Sequence, residues 1–292
     1  MSADLYLRHF ALTEPPFAIT ANPRFFFAGG GRGDVLRALA HALAHEQGVV
    51  LVTGEVGTGK STLCRMLLEA PPPALSLVYL PNPSLDGTEL TAALARDLGV
   101  ADLAPTALEA LQRALIERHA QGSRVAVLID EAQAMSTSAL EQVRLLTNLE
   151  SSASMLLVIA LFGQPELLER LHEPALRALR DRISLQLVLP PLAPSDVAAY
   201  IQFRLHVAGY RGGQLFEPAA IKRLVRSCGG RSRRLNLLAD RALLACFARG
   251  GRTVTWRDVG RGEGDLALPA GAFGRNFWRR MFGSRSKRLQ EA

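Results

Sequence analysis

Three glycines, a lysine and a run of hydroxyls stand together in Gly54-Glu55-Val56-Gly57-Thr58-Gly59-Lys60-Ser61-Thr62. The spacing is G-x-x-x-x-G-K-[ST], and its chemistry is phosphate binding. Glycines let backbone N–H groups close around an anion, and a following helix adds the positive end of its dipole. Lys60 carries a mobile point charge to the β- and γ-phosphates, and Ser61 offers a hydroxyl to Mg²⁺. Lys60 is one of only three lysines among 34 basic residues, the rest being arginine. A second group follows in Val125-Ala126-Val127-Leu128-Ile129-Asp130-Glu131, an apolar run that ends in two acids. Asp130 suits the Mg²⁺ shell, usually through water, and Glu131 suits a general base that polarises an attacking water. The base-specifying motif N-K-x-D does not occur in the chain, so ATP is expected rather than GTP.

These residues need a scaffold that brings them to one place. Five short apolar runs read as strands buried on both faces: Val49–Thr53, Leu75–Leu80, Val125–Ile129, Met155–Leu161 and Ile183–Leu189. Helix-period segments lie around and between them at Arg32–Gln47, Ser61–Glu69, Asp86–Leu98, Thr106–Gln121, Ser138–Leu149 and Glu166–Leu179. Alternation of this kind gives right-handed crossovers and a parallel sheet. The stretch between the phosphate loop and Asp130 is long enough for a strand and two helices, which implies an extra strand inserted between the two nucleotide-binding strands. That insertion, with an acid directly after the Mg²⁺ ligand, points to a hydrolytic motor or switch rather than a nucleotide kinase. After Pro190-Pro191 the strand signal stops and three helical segments follow, Ser195–Ala208, Glu217–Cys228 and Arg233–Arg249. The expected fold class is therefore α/β, a P-loop NTPase with a five-stranded parallel sheet followed by a small helical lid. Its expected limits are 1–190 for the nucleotide-binding domain, 191–260 for the lid, and 261–292 for a Gly-rich linker and tail.

The chain has 292 residues, 48% hydrophobic and 21% charged, which excludes wholesale disorder. No run reaches the roughly 20 apolar residues of a membrane span. Met1–Phe10 lacks the apolar core of a secretory signal, so a cytoplasmic location is expected. Cys64, Cys228 and Cys246 are too few and scattered for a disulfide framework or a zinc site, and read as reduced, mostly buried thiols. The six histidines show no metal-ligand pattern. The net charge of +7 is unevenly spread. Ten basic and four acidic residues fall in 249–292, so the body is almost neutral. That distribution does not describe a surface for wrapping nucleic acid.

The sequence resembles the AAA+ secretion ATPases of the ExeA/GspA type over roughly residues 5–260. The resemblance rests on Tyr6-Leu7-Arg8-His9-Phe10-Ala11-Leu12-Thr13-Glu14-Pro15-Pro16-Phe17, on Asn22-Pro23-Arg24 and on the Gly54–Ser61 loop. It continues in Asp130-Glu131-Ala132-Gln133 and in Gly163-Gln164-Pro165-Glu166-Leu167. Within the family, the loop with Leu63-Cys64-Arg65, and Tyr79-Leu80-Pro81-Asn82-Pro83, look most like the MshM branch of mannose-sensitive haemagglutinin (type IV) pilus biogenesis. The resemblance implies ATP and Mg²⁺ as cofactors. It makes Gln164 the polar sensor of the γ-phosphate. It implies an arginine finger among Arg177, Arg180 and Arg182, with Arg182 favoured, and hence a ring or filament of identical subunits. The family's lid motif S-x-G-x-P-R-x-I-N corresponds to Ser227–Asn236, with Ser232 in place of proline. Arg233 then aligns with a second sensor, and Arg234 stays open as the alternative. Lys222, Arg223, Arg226 and Arg231 leave a phosphate-backbone contact open for the same stretch. Leu12, Pro16 and Phe17 resemble the segment that packs over adenine, with a plain core role for Phe17 equally open.

The end of the chain departs from the family, whose members continue into a membrane helix and a peptidoglycan-binding module. Here Phe273, Phe277 and Met281 share a helical stripe with Trp278 and Phe282 beside it, flanked by Arg275, Arg279, Arg280, Arg285, Lys287 and Arg288. Residues 273–288 suit peripheral contact with anionic lipid at the inner membrane, or docking to a partner protein. The expected function is Mg²⁺-dependent ATP hydrolysis that drives an oligomer's conformational change and assists type IV (MSHA-like) pilus or type II secretion biogenesis. Pilus or secretion-apparatus proteins are the expected partners. The alternative is a DNA-acting AAA+ regulator of the transposition-helper type.

Overall fold

The apolar runs become strands of one parallel sheet, and the sheet's order decides what meets at its end. The computed structural model describes residues 2–81, 86–100, 106–149 and 155–266. The chain divides into two units, Ala21–Pro191 and a second built from Met1–Thr20 with Leu192 onward.

The helix α1 (Ser2–His9) opens the chain and belongs to the second unit. The first unit then runs α2 (Arg32–His45), β1 (Gly48–Thr53), α3 (Lys60–Glu69), β2 (Leu75–Leu80), α4 (Gly87–Asp97) and α5 (Ala107–Ala120). It continues with β3 (Arg124–Ile129), α6 (Thr137–Leu146), β4 (Leu157–Gly163), α7 (Glu166–Leu171), α8 (Arg177–Arg180) and β5 (Ile183–Val188). The sheet order is β2-β3-β4-β1-β5, with every pair parallel. Helices cover both faces, leaving one core around Leu90, Leu111 and Val143 and another around Leu39, Leu63 and Phe162.

Three expectations change here. All five strands were expected to be buried on both faces, yet only β1, β3 and β4 are. As an edge strand, β5 alternates half-buried with exposed residues and leaves Val188 58% exposed. The strand inserted in sequence, β2, lands at the far edge, and β4 is the strand that separates β1 from β3 in space. The helix expected over Glu166–Leu179 breaks into α7, a turn and α8, because Pro174 cannot continue it.

The second unit holds α9 (Val197–Val207), α10 (Pro218–Cys228), α11 (Ser232–Ala248) and α12 (Trp256–Leu266). The limits 1–190, 191–260 and 261–292 shift at both ends. The first twenty residues go with the helices because buried Arg204 needs acceptors. It donates to the carbonyls of Pro16 (2.6 Å) and Ala18 (2.9 Å). Thr13 N–H donates to Ala208 O at 2.8 Å, Tyr6 donates to Asp240, and Phe17 packs edge-on against Phe216. Leu12 is buried in the same unit, and Phe17 takes the core role. Residues 260–266, expected as linker, form the end of α12, where Gly262 is buried against α11 and Glu263 pairs with Arg223. No described helix is long and apolar enough to cross a membrane. The stretch 273–288 lies outside the described residues.

Candidate nucleotide site

Parallel strands end on one edge, so a parallel sheet gathers the residues that follow its strands. Register pairs Thr53 of β1 with Gly163 of β4, and Leu161 of β4 with Ile129 of β3. The phosphate loop, Gln164 and the acids Asp130-Glu131 therefore leave three adjacent strands at the same edge.

The loop after β1 turns into α3 at Gly59, whose φ of 109° favours glycine. Thr58 is buried and its hydroxyl donates to Glu55 O at 2.9 Å, pinning the loop across its own base. Glu55 and Val56 point to solvent. Lys60, only 6% exposed, donates to Gly54 O at 2.6 Å and to Glu55 O at 3.2 Å. Burial lowers the pKa of its ammonium, while Glu131, Asp130, Glu55 and Glu166 pull the other way. A polyanion would supply what those carbonyls now give.

Asp130 is 2% exposed at the end of β3. Burial lifts its pKa above the ordinary carboxylate value, opposed by hydrogen bonds from the Ser61 hydroxyl and the Glu131 N–H. Tyr79 of β2 also donates to it, at 3.3 Å. Ser61 at the start of α3 and Asp130 at the end of β3 offer two hard oxygens of the donor type Mg²⁺ takes.

Glu131 follows with φ 54°, ψ 36°, a left-handed conformation that costs a non-glycine residue about 1–3 kcal/mol. Its Oε2 accepts from the side-chain amides of Gln133 and Gln164, the latter at 3.4 Å. The Gln133 Oε1 in turn accepts from the Gln164 N–H at 3.1 Å. Arg170 of α7 donates to the backbone carbonyls of Gln133 and Met135, both at 2.8 Å.

Other expected site residues lie elsewhere. Arg177 and Arg182 are exposed and Arg180 half-buried. Arg182 O accepts from Val49 N–H at 3.0 Å, at the start of β1, which is the sheet edge opposite the phosphate loop. Arg233 and Arg234 are exposed on the first turn of α11, in the second unit. Ser232 occupies the first helical position, where the family's proline is favoured, so the helix starts in the same register without it.

Four residues escaped sequence reasoning. Tyr79 and Gln133 stood in quoted motifs without a role. Arg170 sits on α7 among solvated-looking charges. Arg32, buried at the first turn of α2, donates to Thr58 O at 2.6 Å and to Pro190 O at 3.4 Å, tying the phosphate loop to the end of β5. Nothing in its local pattern separates it from 30 other arginines.

Fold and site together define an AAA+ P-loop ATPase. A family model described as "AAA domain" matches residues 40–171. The general secretion pathway protein A of Aeromonas hydrophila is 42% identical over 263 residues, covering 87% of this chain and 47% of that relative. These matches support an AAA+ ATPase of the ExeA/GspA type, and the chain spans about half the length of the curated relative it matches. The ORC2 protein of Aeropyrum pernix superposes with a TM-score of 0.66 at 16% identity, over 86% of this chain and 73% of that one. Cdc6p of Pyrobaculum aerophilum gives 0.64 at 15%, over 87% and 74%. The RuvB branch-migration motor of Thermotoga maritima gives 0.55 at 16%, over 81% and 70%. At these identities the structures speak for the fold alone.

Proposed function

We propose that the Gly54–Thr62 loop binds ATP with Mg²⁺ and that Glu131 acts as general base in its hydrolysis. The observation that carries this reading is the meeting of Lys60, the Ser61–Asp130 pair and the Glu131–Gln164 pair at the ends of β1, β3 and β4. Lys60 exchanges its loop carbonyls for the β- and γ-phosphates. Ser61 and Asp130 hold Mg²⁺, which when bound neutralises phosphate charge. Glu131 takes the proton of the attacking water, and Gln164 orients that water and reads the γ-phosphate. Glu131→Gln should lower turnover about 100-fold or more while ATP binding persists. Unchanged turnover would remove Glu131 from the mechanism.

The arginine finger acts on a neighbouring subunit. Arg182 is favoured, with Arg180 and Arg177 beside it, because it is exposed at the edge opposite its own phosphate loop. Arg233, or Arg234, is the second sensor from the lid. Hydrolysis in this oligomer changes the lid angle and serves a type II secretion or MSHA-like pilus apparatus at the inner membrane. The identity to general secretion pathway protein A supports secretion, and the Tyr79-Leu80-Pro81 string supports the pilus branch. Liposome flotation with and without residues 265–292 tests the tail, and equal partitioning of both forms defeats a membrane role. One observation favours the DNA-acting alternative: Lys222, Arg226, Arg231, Arg233 and Arg234 are all exposed on one unit. DNA-stimulated hydrolysis with steeply salt-dependent binding would establish it.

A further inference from the structure

The Gln133 side chain touches both the acid after β3 and the sensor position after β4. Its amide donates to the Glu131 carboxylate, and its Oε1 accepts from the Gln164 N–H at 3.1 Å. A side-chain amide offers a donor and an acceptor a few ångströms apart, so it can serve a carboxylate and an N–H together. The surroundings are shaped for it. A Cβ added at Gly163 would clash with Leu167 at 2.5 Å and would lie in ordinary contact with the Gln133 Oε1 at 3.4 Å, so glycine leaves the amide room to reach the end of β4. Arg170 holds the Gln133 backbone by its carbonyl, independently of the side chain. Glu131 needs such support, because its left-handed backbone and half-buried side chain do not fix the carboxylate by packing.

We propose that Gln133 is a positioning residue for hydrolysis, locking the Glu131 carboxylate to the end of β4 so that base and sensor keep one geometry. Gln133 acts through Glu131 and does not itself touch the nucleotide. The inference rests on Glu131 being the base.

The test measures steady-state turnover, ATP affinity and melting temperature of the full chain. Gln133→Ala should lower kcat about 10- to 100-fold, the scale of a misplaced catalytic group. ATP affinity should stay within about twofold, because binding is uniform between the two forms. Gln133→Glu, which keeps the size but sets a carboxylate against Glu131, should lose more than Gln133→Ala. In a Glu131→Gln background, single-turnover rates should show no further loss on adding Gln133→Ala, since the two act as one unit. A parallel fall in affinity and melting temperature with kcat would make the role structural and overturn the proposal. An independent further loss in the double variant would also overturn it. Glu131→Gln with unchanged turnover would sink both the base and this inference. An inactive Glu131→Gln beside a fully active Gln133→Ala would sink this inference alone.

Discussion

Two aspartates, one in each unit, are almost completely buried, and their surroundings treat them in opposite ways. Asp258 is 0% exposed at the start of α12. It accepts from Arg249 Nε and Nη2 at 2.9 and 2.8 Å, and from the N–H and hydroxyl of Thr255, both at 2.8 Å. Burial would raise its pKa, but those hydrogen bonds outweigh it and hold the carboxyl below its ordinary value. Asp130 is as deeply buried yet has a raised pKa, because its donors do not repay desolvation. The helical unit uses its aspartate as a cap and tie. The sheet unit keeps its own short of partners, which is the state that a dication would relieve.

The comparison breaks most visibly by substitution to asparagine. Asp130→Asn should lower Mg²⁺-dependent ATP turnover about 100-fold or more, while the melting temperature of the nucleotide-free protein rises, since the desolvation penalty goes. A fall in melting temperature would mean that Asp130 is as well compensated as Asp258. Asp258→Asn should do the reverse. It should cost about 2 kcal/mol of stability, read by denaturant unfolding, because a cap and an ion-pair partner are lost together. Turnover per folded molecule should be unchanged.

Acid sharpens the contrast. The Asp258 carboxyl is depressed, so its contribution is full above the unfolded value of about 4 and is lost as pH falls through its lower folded value. The Asp130 carboxyl is raised, so its penalty is present at neutral pH and fades as pH falls through that raised value towards about 4. Melting curves of Asp130→Asn should therefore differ from the parent in slope above pH 4, and those of Asp258→Asn below it. The smallest effect is expected from Tyr79→Phe, which removes one long donor to Asp130. It should cost about 0.5–1.5 kcal/mol or less in stability and change turnover no more than about threefold. A larger loss in an ATPase assay would place Tyr79 in the Mg²⁺ shell's support.

Much of this molecule is legible from residue order alone. The phosphate loop is local: glycine freedom, a lysine and a hydroxyl act within one turn, so spacing suffices. The acids after β3 are legible for the same reason, as are the strands, whose short runs are mostly apolar. The edge position of β5 is a property of sheet order, although the alternation of Ser184 and Gln186 with Ile183, Leu185 and Leu187 carries its half-buried pattern. Helix α12 was hidden. Gly260, Gly262 and Gly264 read as a linker, yet Asp258 at its start is fixed by Arg249 and Thr255, and Glu263 near its end by Arg223 from 40 positions away.

By itself the sequence determined the chemistry available, namely a phosphate-loop pattern, a hydroxyl and a carboxylate of the kind Mg²⁺ takes, and an acid suited to be a base. Tertiary structure alone decided which residues serve them. Gln133 meets Gln164 across 31 positions, and Arg32 meets Thr58 across 26. Arg204 draws Pro16 and Ala18 into the helical unit across more than 180 positions. Such partners carry no periodicity or spacing to read. They are chosen because a buried polar group must find a mate, and only the folded chain shows which one is within reach.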